Sequence, residues 1–219
     1  MDNQNLELEF KITKFDTGYI LTKCNSTKSI INIPSQHNGK PVIAIGKRAF
    51  EGCSLLKNVF LPNNIVYIGD SAFYGCSSLL CITIPNSVIY IEKYAFWGCS
   101  SLRSITISNN LKEVCDFTFY GCSSLTNITI PDGVTSIGKG AFRFCASLTT
   151  VVIPNSVTYM YISAFYGCSS LTNICYRGTI LQWFDMSRIY HSDWDECTLM
   201  TQNEEYKKAN VIYNYVPEE

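Results

Sequence analysis

Thiols are the first candidates for chemistry in this chain, which carries 11 cysteines in 219 residues. Six of them, Cys53, Cys76, Cys99, Cys122, Cys145 and Cys168, follow one another at a constant step of 23 residues. Repeated thiols can bind metal or form disulfides. Zinc sites favour short C-x2-C pairs, and the chain has none. If each step is one turn of a coil, equivalent Cβ atoms lie near 4.8 Å, whereas a bridge needs about 3.5–4.5 Å. A ladder of small buried thiols fits better, because free cysteine packs as a small hydrophobe. Cys24, Cys81, Cys115, Cys175 and Cys197 stand outside the column. Cys81 and Cys175 are expected to point outward, which favours a reducing compartment.

Two further groups invite a catalytic reading. Residues 191–196, HSDWDE, gather His191 with Asp193, Asp195 and Glu196. Their spacing matches no metalloenzyme motif and reads as a solvated loop, although an enzyme built on His191 and Asp193 is a rival to keep. His37 lies in a polar turn, SQHNGK, and reads as exposed and idle. No G-x-S-x-G, Walker loop or G-x-G-x-x-G occurs. The expectation is therefore no catalysis, no cofactor and no metal. A formal net charge of −1 argues against a nucleic-acid partner. No stretch is long and apolar enough for membrane insertion. A basic start followed by an apolar run is also missing. If Met1 is the true start the protein stays inside the cell; otherwise the chain is a segment of a longer precursor.

The elements that position these residues follow from the same 23-residue step. Phe50, Phe73, Phe96, Phe119, Phe142 and Phe165 keep it, and so do Leu56, Leu79, Leu102, Leu125, Leu148 and Leu171. Further apolar columns run from Val59 to Ile174, from Leu61 to Tyr176 and from Ile45 to Met160. Within one repeat, Ile82 and Ile84 face one way and Thr83 the other, as in a strand. Pro85 and Asn86 turn the chain. A second short extended piece spans residues 88–91, and Ala95 and Phe96 open a tight turn with 3₁₀ or short helical character. Twenty-three residues cannot enclose a core alone, but stacked coils can. The strands must then run parallel, with hydrogen bonds passing from coil to coil.

At this point the sequence resembles a known family. The phrases IPNSVIYIEKYAFWGCSSL and IPDGVTSIGKGAFRFCASL are similar to BspA-like leucine-rich repeats, which are common in bacterial surface proteins. Residues 19–34 with NGKPV (38–42) resemble the strand cap that opens such arrays. YRGT (176–179) with Gln182 and Trp183 resembles the closing segment. The resemblance implies a leucine-rich-repeat solenoid, a right-handed coil of 23-residue repeats with a parallel β-sheet. The expected layout is a β-hairpin N-cap at 1–41, six repeats at 42–176 and a C-terminal capping segment at 177–219, all one continuous domain. The front hairpin pairs alternating Leu6, Leu8, Phe10 and Ile12 with residues 19–21. In the back cap a last strand is expected at 211–215. Some positions break rank: Ser108 replaces proline, Thr118 alanine and Phe144 glycine.

Two outward columns are candidate binding surfaces. One follows the repeat phenylalanine: Tyr74, Trp97, Tyr120, Arg143 and Tyr166 form an aromatic ridge about 20 Å long. Aromatic and Arg side chains are typical binding hot spots, but the same rings could simply support the turn. The other lies on the strand face: Phe60, Thr83, Thr106, Thr129, Val152 and Cys175. By resemblance, the strand face is the usual binding surface and the family includes adhesins at the cell surface or secreted. The expected function is a non-catalytic, protein-binding interaction module, a monomer, with a glycan bound on the aromatic ridge as the alternative.

Overall fold

The structure is a computed structural model that describes residues 7–187 and 209–216. It opens on a hairpin, as the alternating N-terminal residues require. Strand β1 (Leu8–Ile12) pairs antiparallel with β2 (Tyr19–Cys24). Asp16 takes the left-handed backbone at the turn, with φ 57°. A second hairpin joins β4 (Gln36–His37) to β5 (Lys40–Ile45). Asn38 and Gly39 both sit at positive φ between them, as a two-residue turn matched to the strand twist demands. His37 is not idle there. Its ring stacks on Phe10 at 4.4 Å and meets Tyr19 edge-on at 4.7 Å. The two hairpins therefore pack through an imidazole that a polar-looking loop concealed.

From here the chain winds as a β-solenoid. One strand face carries β3 (Ile30–Asn32), β6 (Asn58–Phe60), β8 (Cys81–Thr83) and β10 (Ser104–Thr106) as neighbours. It continues as β12 (Asn127–Thr129), β14 (Thr150–Ile153), β16 (Asn173–Tyr176) and β17 (Asn210–Ile212). The other face carries β2, β5, β7 (Tyr67–Ile68) and β9 (Tyr90–Ile91), then β11 (Glu113–Val114), β13 (Ser136–Ile137) and β15 (Tyr159–Met160). Coil-to-coil pairs are parallel and, within the repeats, 23 residues apart, as with Ile105 beside Ile82 and Val151 beside Ile128. Strand β17 begins and ends earlier than 211–215 would place it.

Each coil has a third hydrogen-bonded side, at the turn. Phe50, Phe73, Phe96, Phe119 and Phe142 donate their N–H to the carbonyl of residue 72, 95, 118, 141 and 164 respectively, at 2.7–2.8 Å. The turn doubles back through left-handed residues. Arg48, Ser71, Tyr94, Phe117 and Gly140 have φ of 55–60°, and Gly52, Gly75, Gly98, Gly121 and Gly167 have φ of 69–76°. Phe144 holds this conformation in place of glycine, at φ 61°. A left-handed non-glycine residue costs about 1–2 kcal/mol.

The core is a set of ladders. The six repeat phenylalanines are 0–1% exposed and stack ring on ring, with centroids 4.9–5.5 Å apart and planes within 12°. The repeat leucines are buried throughout, while Ile105 and Leu61 are only half-buried in their columns. The cysteine column is buried from Cys76 onward and has a polar role as well. Cys76, Cys99, Cys122, Cys145 and Cys168 each donate Sγ–H to the carbonyl of the phenylalanine 26 residues earlier, at 3.1–3.3 Å. Burial pushes the Cys76 thiol up to about 12, and moves Cys99, Cys122 and Cys145 upward for the same reason. Thr118, at an alanine position, satisfies its hydroxyl on the Cys115 carbonyl at 2.8 Å. Ser108, at a proline position, donates to the Val88 carbonyl at 2.6 Å.

Both strand faces are interrupted at one level. Among the described residues no bridge joins β10 to β12 or β9 to β11. The turn side stays closed there, through Phe96 N–H to Thr118 and Gly98 N–H to Tyr120, both at 2.8 Å. At the back, α1 (Ile180–Ser187) closes the last coil. Thr179 and Gln182 form a reciprocal capping box: Thr179 N–H donates to Gln182 Oε1 at 2.8 Å, and Gln182 N–H to Thr179 Oγ1 at 3.3 Å. Trp183 and Met186 turn inward, with Trp183 edge-on to Tyr176 at 5.3 Å. Cys175 is 5% exposed, not outward in solvent. It lies in register between Val152 of β14 and Ile212 of β17, so a strand flanks it on each side.

Two outcomes follow from the ladders. Phe96→Ala removes a ring stacked on both sides and is expected to cost about 3–5 kcal/mol in urea unfolding. Stability should also fall at alkaline pH. The unfolded chain loses thiol protons near pH 9, while the folded chain holds that of Cys76 to about 12. Between these values the folded state binds more protons, so each rise in pH favours unfolding. The urea midpoint should decline from about pH 9 upward, where the raised thiols dominate.

Candidate functional site

The described residues present two outward surfaces on adjoining sides of each coil. Alternation along the strand creates the first. In β8, Ile82 is buried while Cys81 and Thr83 are exposed, and β12 repeats this with Ile128 between Asn127 and Thr129. The row Phe60, Thr83, Thr106, Thr129 and Val152 runs along this face. Phe60 is 59% exposed, the three threonines are exposed and Val152 is half-buried. Cys175, the last member of the row, is covered as described above.

Hydroxyl partners separate this row from the one beside it. Thr149 Oγ1 donates to the Thr126 carbonyl, and Thr172 Oγ1 to the Thr149 carbonyl, both at 3.1 Å, so those side chains stitch coils together. Asn127 Nδ2 donates to Thr126 Oγ1 and Cys81 Sγ–H to Asn58 Oδ1. Among the described residues none hydrogen-bonds the hydroxyls of Thr83, Thr106 or Thr129. They stand at one-coil spacing with donors and acceptors unspent. Thr83 and Thr106 are in register across β8 and β10, and Thr129 and Val152 across β12 and β14. The interruption between β10 and β12 divides the row.

The second surface is the turn side. Tyr74 stacks on Trp97 at 6.0 Å, and Trp97 on Tyr120 at 3.7 Å with planes 10° apart. Arg143 lies over the Tyr166 ring at 4.6 Å and the Phe144 ring at 5.1 Å. The ridge is not a single file. Tyr94 and Phe117 form a second stack beside it, 5.5 Å apart, and each also meets Trp97. Phe144 bridges Tyr120 and Tyr166 edge-on, at 5.4 and 5.8 Å. The column of Tyr94 and Phe117 also contains Arg48, Ser71 and Gly140, and this mixed composition hides it in the sequence. The glycine was the available signal, since it marks a left-handed position. Trp97 and Tyr120 cover each other's faces and are half-buried, whereas Tyr74 and Tyr166 are exposed.

A shallow groove of about 330 Å³ lies on the second strand face, lined by Glu92, Glu113, Asp116, Tyr159 and Tyr161 among others. Tyr67 donates its hydroxyl to Glu92, and burial together with the Glu92 charge pushes Tyr67 up to about 12. Cys115 donates to Glu113 at 3.6 Å and is also pushed up to about 12, first by burial. Among the described residues no three His, Cys, Asp or Glu side chains converge as a metal site. Residues 191–196, with His191 and Asp193, lie outside the described residues, as does Cys197. No described helix is long and apolar enough to cross a membrane.

Comparison with known proteins agrees with this architecture. The BspA type leucine rich repeat region is matched in 6 copies, over residues 17–123 and 90–205. The chain is similar to the crystal structure of a T. pallidum leucine-rich repeat protein: 33% identity, TM-score 0.76, covering 80% of this chain and 81% of that one. It is also similar to a leucine-rich repeat protein from Bacteroides ovatus, with 34% identity and TM-score 0.71 over 77% of this chain and 45% of that one. A leucine-rich repeat protein from Eubacterium ventriosum, 23% identical with TM-score 0.69, shares the fold over 91% of this chain and 55% of that one. No curated protein sequence matches.

The ring geometry gives the turn side a measurable structural weight. Trp97→Ala removes contacts to Tyr74, Tyr94, Phe117 and Tyr120 together and is expected to lower stability by about 1–3 kcal/mol in urea unfolding. Tyr74→Ala, at the open end of the stack, should cost less than half as much.

Proposed function

The chain belongs to the BspA-type leucine-rich repeat family, and from that premise we propose that it is a non-catalytic interaction module that binds a protein partner through its strand face. The family and fold are those of repeat scaffolds that are generally non-catalytic. Mechanism here means presentation. Coils joined by hydrogen bonds on up to three sides, and by the turn side alone at the level between Thr106 and Thr129, hold side chains at fixed spacing, so little ordering entropy is lost on binding. The single observation that carries the choice of face is the set of unspent hydroxyls on Thr83, Thr106 and Thr129. Phe60 at the front end and Val152 at the rear add apolar contact of the kind that anchors a complex.

The aromatic ridge is the weaker candidate for a partner, and hence for a glycan. A sugar ring stacks on an exposed aromatic face, and Trp97 and Tyr120 already cover one another at 3.7 Å. Of the ridge's rings, Tyr74, Phe144 and Tyr166 are the exposed ones, and Phe144 and Tyr166 already share Arg143. Arg143, held over the Tyr166 ring, adds a cation that suits a protein surface better than a neutral sugar. An adhesin role at a cell surface is the biological setting that the family resemblance supports.

The test is a binding screen of the chain against host surface and matrix proteins, with a glycan array in parallel. For a protein captured saturably, Thr83→Glu, Thr106→Glu and Thr129→Glu combined should weaken binding at least tenfold, while Trp97→Phe should leave it within about twofold. Retention of binding by the triple variant, or a glycan hit abolished by Trp97→Phe, would displace the strand face as the site.

A further inference from the structure

The first thiol of the ladder breaks the rule that the others obey. Cys76, Cys99, Cys122, Cys145 and Cys168 each donate to a phenylalanine carbonyl 26 residues back. For Cys53 that position is Thr27, in the chain that leads from the N-terminal hairpin into the first coil, and no phenylalanine stands there. A second cysteine fills the place instead. Cys53 Sγ–H points at the Cys24 carbonyl, 3.9 Å away. Cys24 is the last residue of β2, and its N–H is fixed on the Ala49 carbonyl at 2.7 Å. Ala49 and Cys53 belong to the same turn, closed by Cys53 N–H donating to Phe50 at 3.1 Å. The backbone therefore holds the two cysteines beside each other from either side. Cys24 is 9% exposed and Cys53 half-buried, at the open end of the ladder.

We propose that Cys24 and Cys53 are a redox-active pair that closes to a disulfide, stapling the N-terminal hairpin cap to the first coil. The electronic asymmetry of the pair supplies the chemistry. The neighbouring Cys53 lowers the Cys24 thiol to about 7, against the opposing effect of burial, while the proximity of Cys24 and burial raise Cys53. Cys24 is then the thiol of the pair that ionises first and serves as the nucleophile, and Cys53 keeps its proton. The oxidant is a hydroperoxide, small enough to reach a nearly covered sulfur. Cys24 S⁻ attacks one oxygen of hydrogen peroxide and breaks the O–O bond. It becomes the sulfenic acid and releases hydroxide, which takes up the proton that Cys24 had shed. Cys53 sulfur then attacks the Cys24 sulfur and displaces its hydroxyl, which leaves as water with the Cys53 proton. Two thiols are oxidised to one disulfide, and one peroxide is reduced to two waters. Cys76 and Cys99, protonated by burial, stay out of the reaction.

The experiment treats the full chain with a slight excess of hydrogen peroxide near neutral pH, blocks remaining thiols with N-ethylmaleimide in denaturant, and digests with trypsin without reduction. Cleavage after Lys23, Lys28, Arg48 and Lys57 isolates each cysteine in its own peptide, residues 24–28 and 49–57. The expected main cross-link joins these two peptides, with a rise in Tm of about 5 °C that dithiothreitol reverses. In Cys53→Ala the cross-link is lost and dimedone traps Cys24 as its sulfenic acid; in Cys24→Ala neither product forms. Full alkylation of both cysteines after peroxide, a link from Cys53 to Cys76, or a link without any rise in Tm would overturn the proposal.

Discussion

Six phenylalanine rings stacked at 4.9–5.5 Å set the geometry to which every other element of this solenoid conforms. A ring that is almost wholly buried and sandwiched by two identical rings has one acceptable place along the axis. The coil must therefore return to the same point after each 23 residues. That condition fixes the turn. The phenylalanine N–H is donated forward to the next coil, and the chain reverses through two left-handed residues so that the ring can enter the core. Glycine fills the second of these because it takes positive φ without strain. Where Phe144 stands instead, its ring lies over Gly167, where an added Cβ would fall 2.3 Å from it.

The polar groups that such a stack buries need partners, and they find them one coil away. Cysteine suits its column because the thiol fills a small apolar site and still offers a weak donor to a carbonyl. Ser87 and Ser108 do the same at other turns, each on a backbone oxygen of the preceding coil at 2.6 Å, while Thr118 uses the Cys115 carbonyl of its own turn at 2.8 Å. The two ends are treated differently. A hairpin pair packed around His37 covers the front, and a capped helix with inward Trp183 and Met186 covers the back. Arg177 reaches across the turns to pair with Asp132 and ties the last coil down. In such a quasi-one-dimensional stack each coil depends on its neighbours, and chemistry concentrates at ends and outward rows.

Much of this was legible in the residues. Columns at one period announced the ladders and most inward positions, alternation at the N-terminus announced the hairpin, and the structure has both. What the sequence hid depends on neighbours two or more coils apart, or on backbone conformation. Cys175 reads as outward from its strand phase and is buried because β17, distant in sequence, lies beside it. His37 reads as a loop residue and is held by Phe10 and Tyr19 from another hairpin. Tyr94 and Phe117 escaped notice because their column mixes Arg, Ser and Gly, held together only by a shared left-handed φ. The candidate face was visible as a row, but which of its hydroxyls are spent on the fold was not, because that depends on side-chain rotamers.

Deleting one repeat tests the stacking principle most directly. Removal of residues 120–142, one full period, leaves Phe119 next to Arg143 and every ladder in register with one rung fewer. Circular dichroism and urea unfolding should then show a folded chain with a single cooperative transition at a lower midpoint, whereas removal of residues 120–130 should abolish that transition by shifting every later ring out of its column. Loss of cooperative unfolding in both deletions, or its survival in both, would contradict the account.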